Sequence, residues 1–212
     1  MAAPPTERAE RDASDLVRAL GAAATLFALG GVAAAILLDP TFSWTADALS
    51  DLGVRPRSAP VFNWGLMLGG AAGVGYAVGV WATSARRGVG VAGRAALLAL
   101  AMVAMAGVGR FDLTEPLHAP AAIGFYALLT ATLAVDGALR RGTTTGALAL
   151  AFVPVHVAVW ATFLAGWWPV TGLALPELPG AIALAAWVWF VGPLPVAGRV
   201  SARLDGDRTD EH

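Results

Sequence analysis

Long apolar stretches alternate with short polar ones along the whole chain, and that alternation sets the elements. A bilayer core takes about 20 apolar residues per helix, with a usual range of roughly 17–25. Six stretches meet this length: 16–38, 61–83, 90–109, 119–135, 147–166 and 178–198. The longest polar connection is 39–60. The expected fold is therefore all-α, a polytopic membrane protein whose six-transmembrane-helix bundle covers 16–198. Polar tails at 1–15 and 199–212 mix acids with arginines and read as solvated ends. The first stretch, 23 residues long, exceeds the roughly 7–15 apolar residues of a secretory signal. It ends at Asp39-Pro40 without a cleavage site, so it is expected to be retained as a helix. Pro154, Pro193 and Pro195 fall inside apolar stretches and are expected to bend helices five and six.

Composition agrees with this pattern. Of 212 residues, 57% are hydrophobic and 14% charged, against about 25% charged in soluble domains. Mean hydropathy is +0.66. The absence of cysteine excludes disulfide scaffolds, thiolate metal sites and cysteine nucleophiles. A net charge of -1 gives no pull towards nucleic acid, so the expected partner is the lipid bilayer. All 14 basic residues are arginine, and their placement orients the chain. Eleven (Arg8, Arg11, Arg18, Arg86, Arg87, Arg94, Arg140, Arg141, Arg199, Arg203 and Arg208) fall on the side of both tails. Only Arg55, Arg57 and Arg110 fall opposite. Both termini are thus expected to be cytoplasmic, in a multi-pass protein of the plasma membrane. Arg94 is expected to snorkel at a helix end.

Helix two carries Gly65, Gly69 and Gly73, continued by Ala77. This small face permits close backbone approach, either within the bundle or to a second copy of the chain in an oligomer. Trp44, Trp64, Trp167 and Trp168 fall near the outer boundary, where aromatic belting accounts for them.

Candidate chemistry gathers on the outer side. Asp51, Asp112, His118 and Glu177 are the candidate catalytic residues, with Ser50, Asn63, Arg110 and His156 as candidate ligand contacts. Asp51, in a Ser-Asp-x-Gly turn, serves either as a cap for nearby amides or as a general base or hard-metal ligand. Ser50 is a nucleophile only with His118 or Asp51 in reach. His118 opens helix four, whose positive end favours the neutral imidazole; a bond to a loop carbonyl is the plainer role. Glu177 precedes helix six and complements its dipole. Asn63 is expected to bond loop backbone. Arg110 suits either an ion pair or a lipid phosphate. His156 lies near mid-bilayer, where an ionisable group is a functional candidate by default. A carbonyl freed by Pro154 would equally accept its N–H. No pattern specifies a metal or a cofactor, and no Walker loop, Rossmann fingerprint or HExxH is present.

Three segments carry a resemblance: Leu49-Ser50-Asp51-Leu52-Gly53 with Phe62-Asn63, Gly109-Arg110-Phe111 before His118-Ala119, and Pro176-Glu177-Leu178. In this order and placement the chain resembles the DUF998 family of six-span prokaryotic proteins, over roughly 16–196. The resemblance implies a six-helix fold and no particular activity. A more distant similarity to the Frag1-like proteins of lipid-anchor remodelling implies a lipid theme and transfers no catalytic residue. Three functions compete: an outward polar site binding a lipid headgroup or small hydrophobic ligand, a membrane-embedded hydrolase or transferase on the same site, and a carrier with His156 as proton relay.

Overall fold

The computed structural model describes residues 4–85 and 87–198. Arg86, residues 1–3 and the segment 199–212 lie outside the described residues. The helices are α1 (Pro5–Leu38), α2 (Ala59–Ala82), α3 (Val89–Arg110), α4 (His118–Leu139), α5 (Thr144–Leu164) and α6 (Ala174–Ala186). A π-helical turn, Trp187–Val191, prolongs α6, and a short 3-10 helix, Leu49–Gly53, sits in the first loop. All six spans are long and apolar enough to cross a bilayer. Large apolar side chains such as Leu26, Val103, Ile123 and Leu164 stay exposed on them, as they would facing lipid rather than water.

The helices end differently from the hydrophobic pattern in three places. α1 starts at Pro5, so the polar segment before residue 16 continues the helix rather than ending as coil. Proline suits a first helical position, and Glu7–Arg11 and Asp15–Arg18 pair at helical spacing. α4 runs past Val135 to Leu139 because Asp136 is not a terminus but a buried partner for arginines. The sixth span starts earlier, at Ala174, and ends at Val191. Pro193 and Pro195 therefore lie beyond it and bend nothing, while Pro154 and Pro179 lie inside helices. Gly192 leaves the helical conformation at ψ 170°. The chain then folds back, with the Val196 and Ala197 amides donating to the Val188 and Trp189 carbonyls.

Neighbouring helices run antiparallel. A Cβ on Gly65 would stand 2.8 Å from the Phe27 carbonyl oxygen and 2.9 Å from Gly31 Cα. One on Gly69 would stand 2.8 Å from the Ala24 carbonyl oxygen. These glycines let α1 and α2 touch backbone to backbone, while Gly73 faces Met102 of α3. The small-residue face is thus filled from within the chain.

The two ends of the bundle differ. At the loop end, the Thr171 and Gly172 amides both donate to the Thr45 carbonyl, and Ala174 donates to that of Asp47, each at 3.0 Å. The first and third loops are thereby joined. Arg55 fastens the first loop on itself, 3.2 Å from Asp39 and 2.9 Å from Asp47. Trp44, Trp64 and Trp167 are exposed. The opposite, terminal end carries the start of α1, the 139–144 turn and the segment after Val191.

Candidate functional site

The helices line a chamber of about 80 Å³. Its wall comes from α1, α2, α3, α4 and α6; α5 contributes no lining residue. The lining is almost wholly apolar, with Ala28, Leu66, Met102, Phe125 and Leu184 typical. Along α2 it runs from Phe62 to Tyr76, a rise of about 21 Å at 1.5 Å per residue. One leaflet of hydrocarbon is about 15 Å deep, half of a bilayer core. At its loop end the lining includes Leu49, Ser50, Tyr126 and Glu177.

These polar groups are placed by the Leu49–Gly53 helix and the start of α6. The Ala48 amide donates to Asp51 Oδ2 at 2.7 Å, and the Leu49 amide to Glu177 Oε2 at 2.8 Å. Asp51 therefore caps its own short helix, while Glu177 fastens that helix to α6. From the other side, Ser58 Oγ donates to the Leu52 carbonyl at 2.8 Å and Asn63 Nδ2 to the Gly53 carbonyl at 3.0 Å. The Tyr126 hydroxyl donates to the Glu177 backbone carbonyl at 3.2 Å. Ser50 is only 8% exposed. Among the described residues its hydroxyl makes no hydrogen bond, and Ser50 lines the chamber. Glu177 is 7% exposed and, among the described residues, has no cation against it.

The other candidates lie apart from this group. His118 Nδ1 donates to the Phe111 carbonyl at 2.7 Å. Asp112 accepts from the Thr114 amide and hydroxyl. The Thr114 hydroxyl, then its amide, holds the Asp112 carboxyl below its ordinary range, with His118 adding a smaller pull. Arg110 is 67% exposed and stands 3.6 Å from Glu115. So Asp51 keeps company with Glu177, and Asp112 with His118. Among the described residues no hydrogen bond or ion pair joins the two pairs, and no three acidic or imidazole groups form a metal cage.

His156 is enclosed by side chains. Its Nε2 accepts from Trp160 Nε1 at 3.1 Å, so the proton sits on Nδ1, which donates to Thr130 Oγ1 at 2.8 Å. The Thr130 hydroxyl in turn donates to the Tyr126 carbonyl at 2.7 Å. The partner of His156 is thus a neighbouring helix rather than a carbonyl freed by Pro154. Both ring nitrogens are used.

A second polar centre, unforeseen from the sequence, lies at the terminal end. Asp136 is fully buried and accepts from Arg94 Nη1 at 3.0 Å, Arg140 Nε at 3.0 Å and Trp187 Nε1 at 2.7 Å. Arg140 Nη2 also binds Asp136, and reaches the Val191 carbonyl at 2.8 Å. Arg140 Nη1 donates to Thr145 Oγ1. Arg94 does not snorkel: it is 4% exposed. The sequence signal was the spacing of four from Asp136 to Arg140, with Arg94 at matching depth on the neighbouring antiparallel helix.

No curated protein and no solved structure matches the chain. The model of the family described as protein of unknown function DUF998 matches residues 22–192. That match takes in all the chamber lining and both polar centres. With six spans folded around them, the chain belongs to the DUF998 family of multi-pass membrane proteins.

Proposed function

We propose that this protein binds a lipid-like amphiphile, with its apolar chain in the chamber and its polar head against Ser50 and Glu177. The observation that carries this is the loop end of an apolar cavity, where the Ser50 hydroxyl, without a hydrogen bond among the described residues, and the Glu177 carboxyl line the wall. Ligand sites are typically concave, with an apolar wall and a few convergent polar groups. Here the head would be a hydroxyl or an amine, since it meets a carboxylate and a hydroxyl. A phosphate fits less well. Arg55 is already shared by two aspartates, Arg110 points to water beside Glu115, and no arginine lines the chamber. On this reading Ser50 and Glu177 are ligand contacts, while Asp51 and Asn63 position the short helix that presents Ser50.

The test uses protein extracted in a mild nonionic detergent, with retained small molecules identified by native mass spectrometry. Wild-type protein should retain an amphiphile. Ala181→Phe, which fills the cavity, should lose it, and Glu177→Gln should weaken retention about tenfold, the loss of one charge-assisted hydrogen bond. Arg110→Ala should retain it unchanged. Equal retention by folded Ala181→Phe protein, or loss in Arg110→Ala, would refute the assignment.

A further inference from the structure

Among the described residues, the buried ion cluster at the terminal end sets two arginines, Arg94 and Arg140, against one carboxylate, Asp136. Arg140 grips both oxygens of Asp136, which makes that pair neutral. Arg94 then shares an oxygen already in use, and among the described residues this is the one hydrogen bond that its five N–H donors make. Its Nε is buried without any partner. Such a guanidinium at a bilayer edge is costly unless an anion or water completes it. A second arginine lies on the same side. Arg18, a third exposed, pairs through Nη1 with Asp15 at 2.9 Å, while its Nε is buried without a partner among the described residues. Tyr76 stands between the two arginines: a Cβ on Gly21, one turn from Arg18, would stand 2.9 Å from its ring, and that ring lies 6.2 Å from the ring of Trp187, which donates to Asp136 beside Arg94. Tyr76 itself donates to the Leu194 carbonyl, so its hydroxyl closes no arginine.

We propose that Arg94 and Arg18 form an anion site at the terminal end of the bundle, which takes a phosphate group. Guanidinium groups match phosphate oxygens by geometry as well as charge. Neither Arg94 nor Arg18 lines the amphiphile chamber, which reaches Tyr76, and the site recognises the opposite charge. The phosphate arrives either on a phospholipid of the adjoining leaflet or free from the aqueous side, and the two sources separate by experiment.

Full-length protein, delipidated in nonionic detergent, is titrated with inorganic phosphate and, in parallel, with short-chain phosphatidylglycerol. Thermal unfolding reads binding, since a ligand of the folded state raises the midpoint. A saturable rise with inorganic phosphate assigns a free anion. A rise with phosphatidylglycerol alone assigns a lipid headgroup. In either case Arg94→Gln should weaken the response about tenfold or more, and Arg11→Gln, exposed on the same side, should leave it intact. Arg18 lies outside the Asp136 network, so Arg18→Gln keeps the test open if Arg94→Gln fails to fold, and it too should weaken binding several-fold. No response to either titrant, or a response undiminished in both Arg94→Gln and Arg18→Gln, overturns the proposal.

Discussion

Arg110 and Asp136 are each one charge on one helix, yet removing them should have opposite weight. Arg110 is mostly solvated and only 3.6 Å from Glu115. Arg110→Ala should change stability by no more than about 0.5 kcal/mol, as exposed pairs generally do. Asp136 is completely buried between two guanidinium groups and an indole. Asp136→Ala strands those partners, and breaking a buried pair costs about 3–5 kcal/mol. Thermal unfolding in detergent compares the two; equal midpoints would mean that the terminal centre is not structural. The loop-end carboxylates give a pH prediction. The Thr41 hydroxyl first, and then its amide and Arg55, depress the Asp39 carboxyl below its ordinary 3.8. The Ser43 amide first, and then Arg55, do the same for Asp47. Their folded values lie under the unfolded one, so their stabilisation is complete above pH 3.8 and is lost as pH falls through the depressed values. Amide exchange at Thr41 and Ser43 should stay slow from pH 7 to about 4, after correction for intrinsic rates, and accelerate below. A loss beginning near pH 6 would point to another group.

At the scale of elements, close packing of α1 on α2 rests on glycines that nothing else can replace. A Cβ at Gly65 meets backbone on α1 at under 3 Å from two directions, and backbone cannot step aside as a side-chain tip can. Gly65→Ala should therefore cost about 1–3 kcal/mol through overpacking. Gly30→Ala, where a Cβ meets nothing within 4 Å, should be neutral or stabilising by about 0.5–1 kcal/mol, the ordinary helix preference of alanine. Gly65 was legible in the sequence because spacing by four places small residues on one face. The ends of α1 and α6 were not. Hydropathy counts apolar length, and it is blind to a polar segment that stays helical through Glu7–Arg11 and Asp15–Arg18, and to an apolar segment that folds back after Gly192. Asp136 was missed for a related reason. A charge at the edge of an apolar run looks like a helix end until the arginines that neutralise it are brought alongside by α3 and by the next turn of α4.

For the whole molecule, six spans were readable because membrane insertion is written as apolar length, whereas the chamber was not. A cavity is volume that side chains leave empty, and no residue type marks it; only Ser50 and Glu177, in segments already singled out, lie at its polar end. Which side of the membrane that end faces is the last question of arrangement. The arginine bias of the two ends predicts that the 39–58 and 111–117 loops are external. The chain contains no cysteine, so single cysteines report without background. Val54→Cys and Leu113→Cys lie on the loop end at exposed positions, while Gly88→Cys and Gly142→Cys lie on the terminal end, where a Cβ meets nothing within 4 Å. In intact cells a membrane-impermeant maleimide should label the first two at once and the second two only after permeabilisation. The reverse pattern would turn the molecule over, put Ser50 and Glu177 at the cytoplasmic face and make the amphiphile an inner-leaflet ligand. Labelling of residues 54 and 113 from opposite sides would break the six-span topology, and with it the common mouth over which the first and third loops are joined.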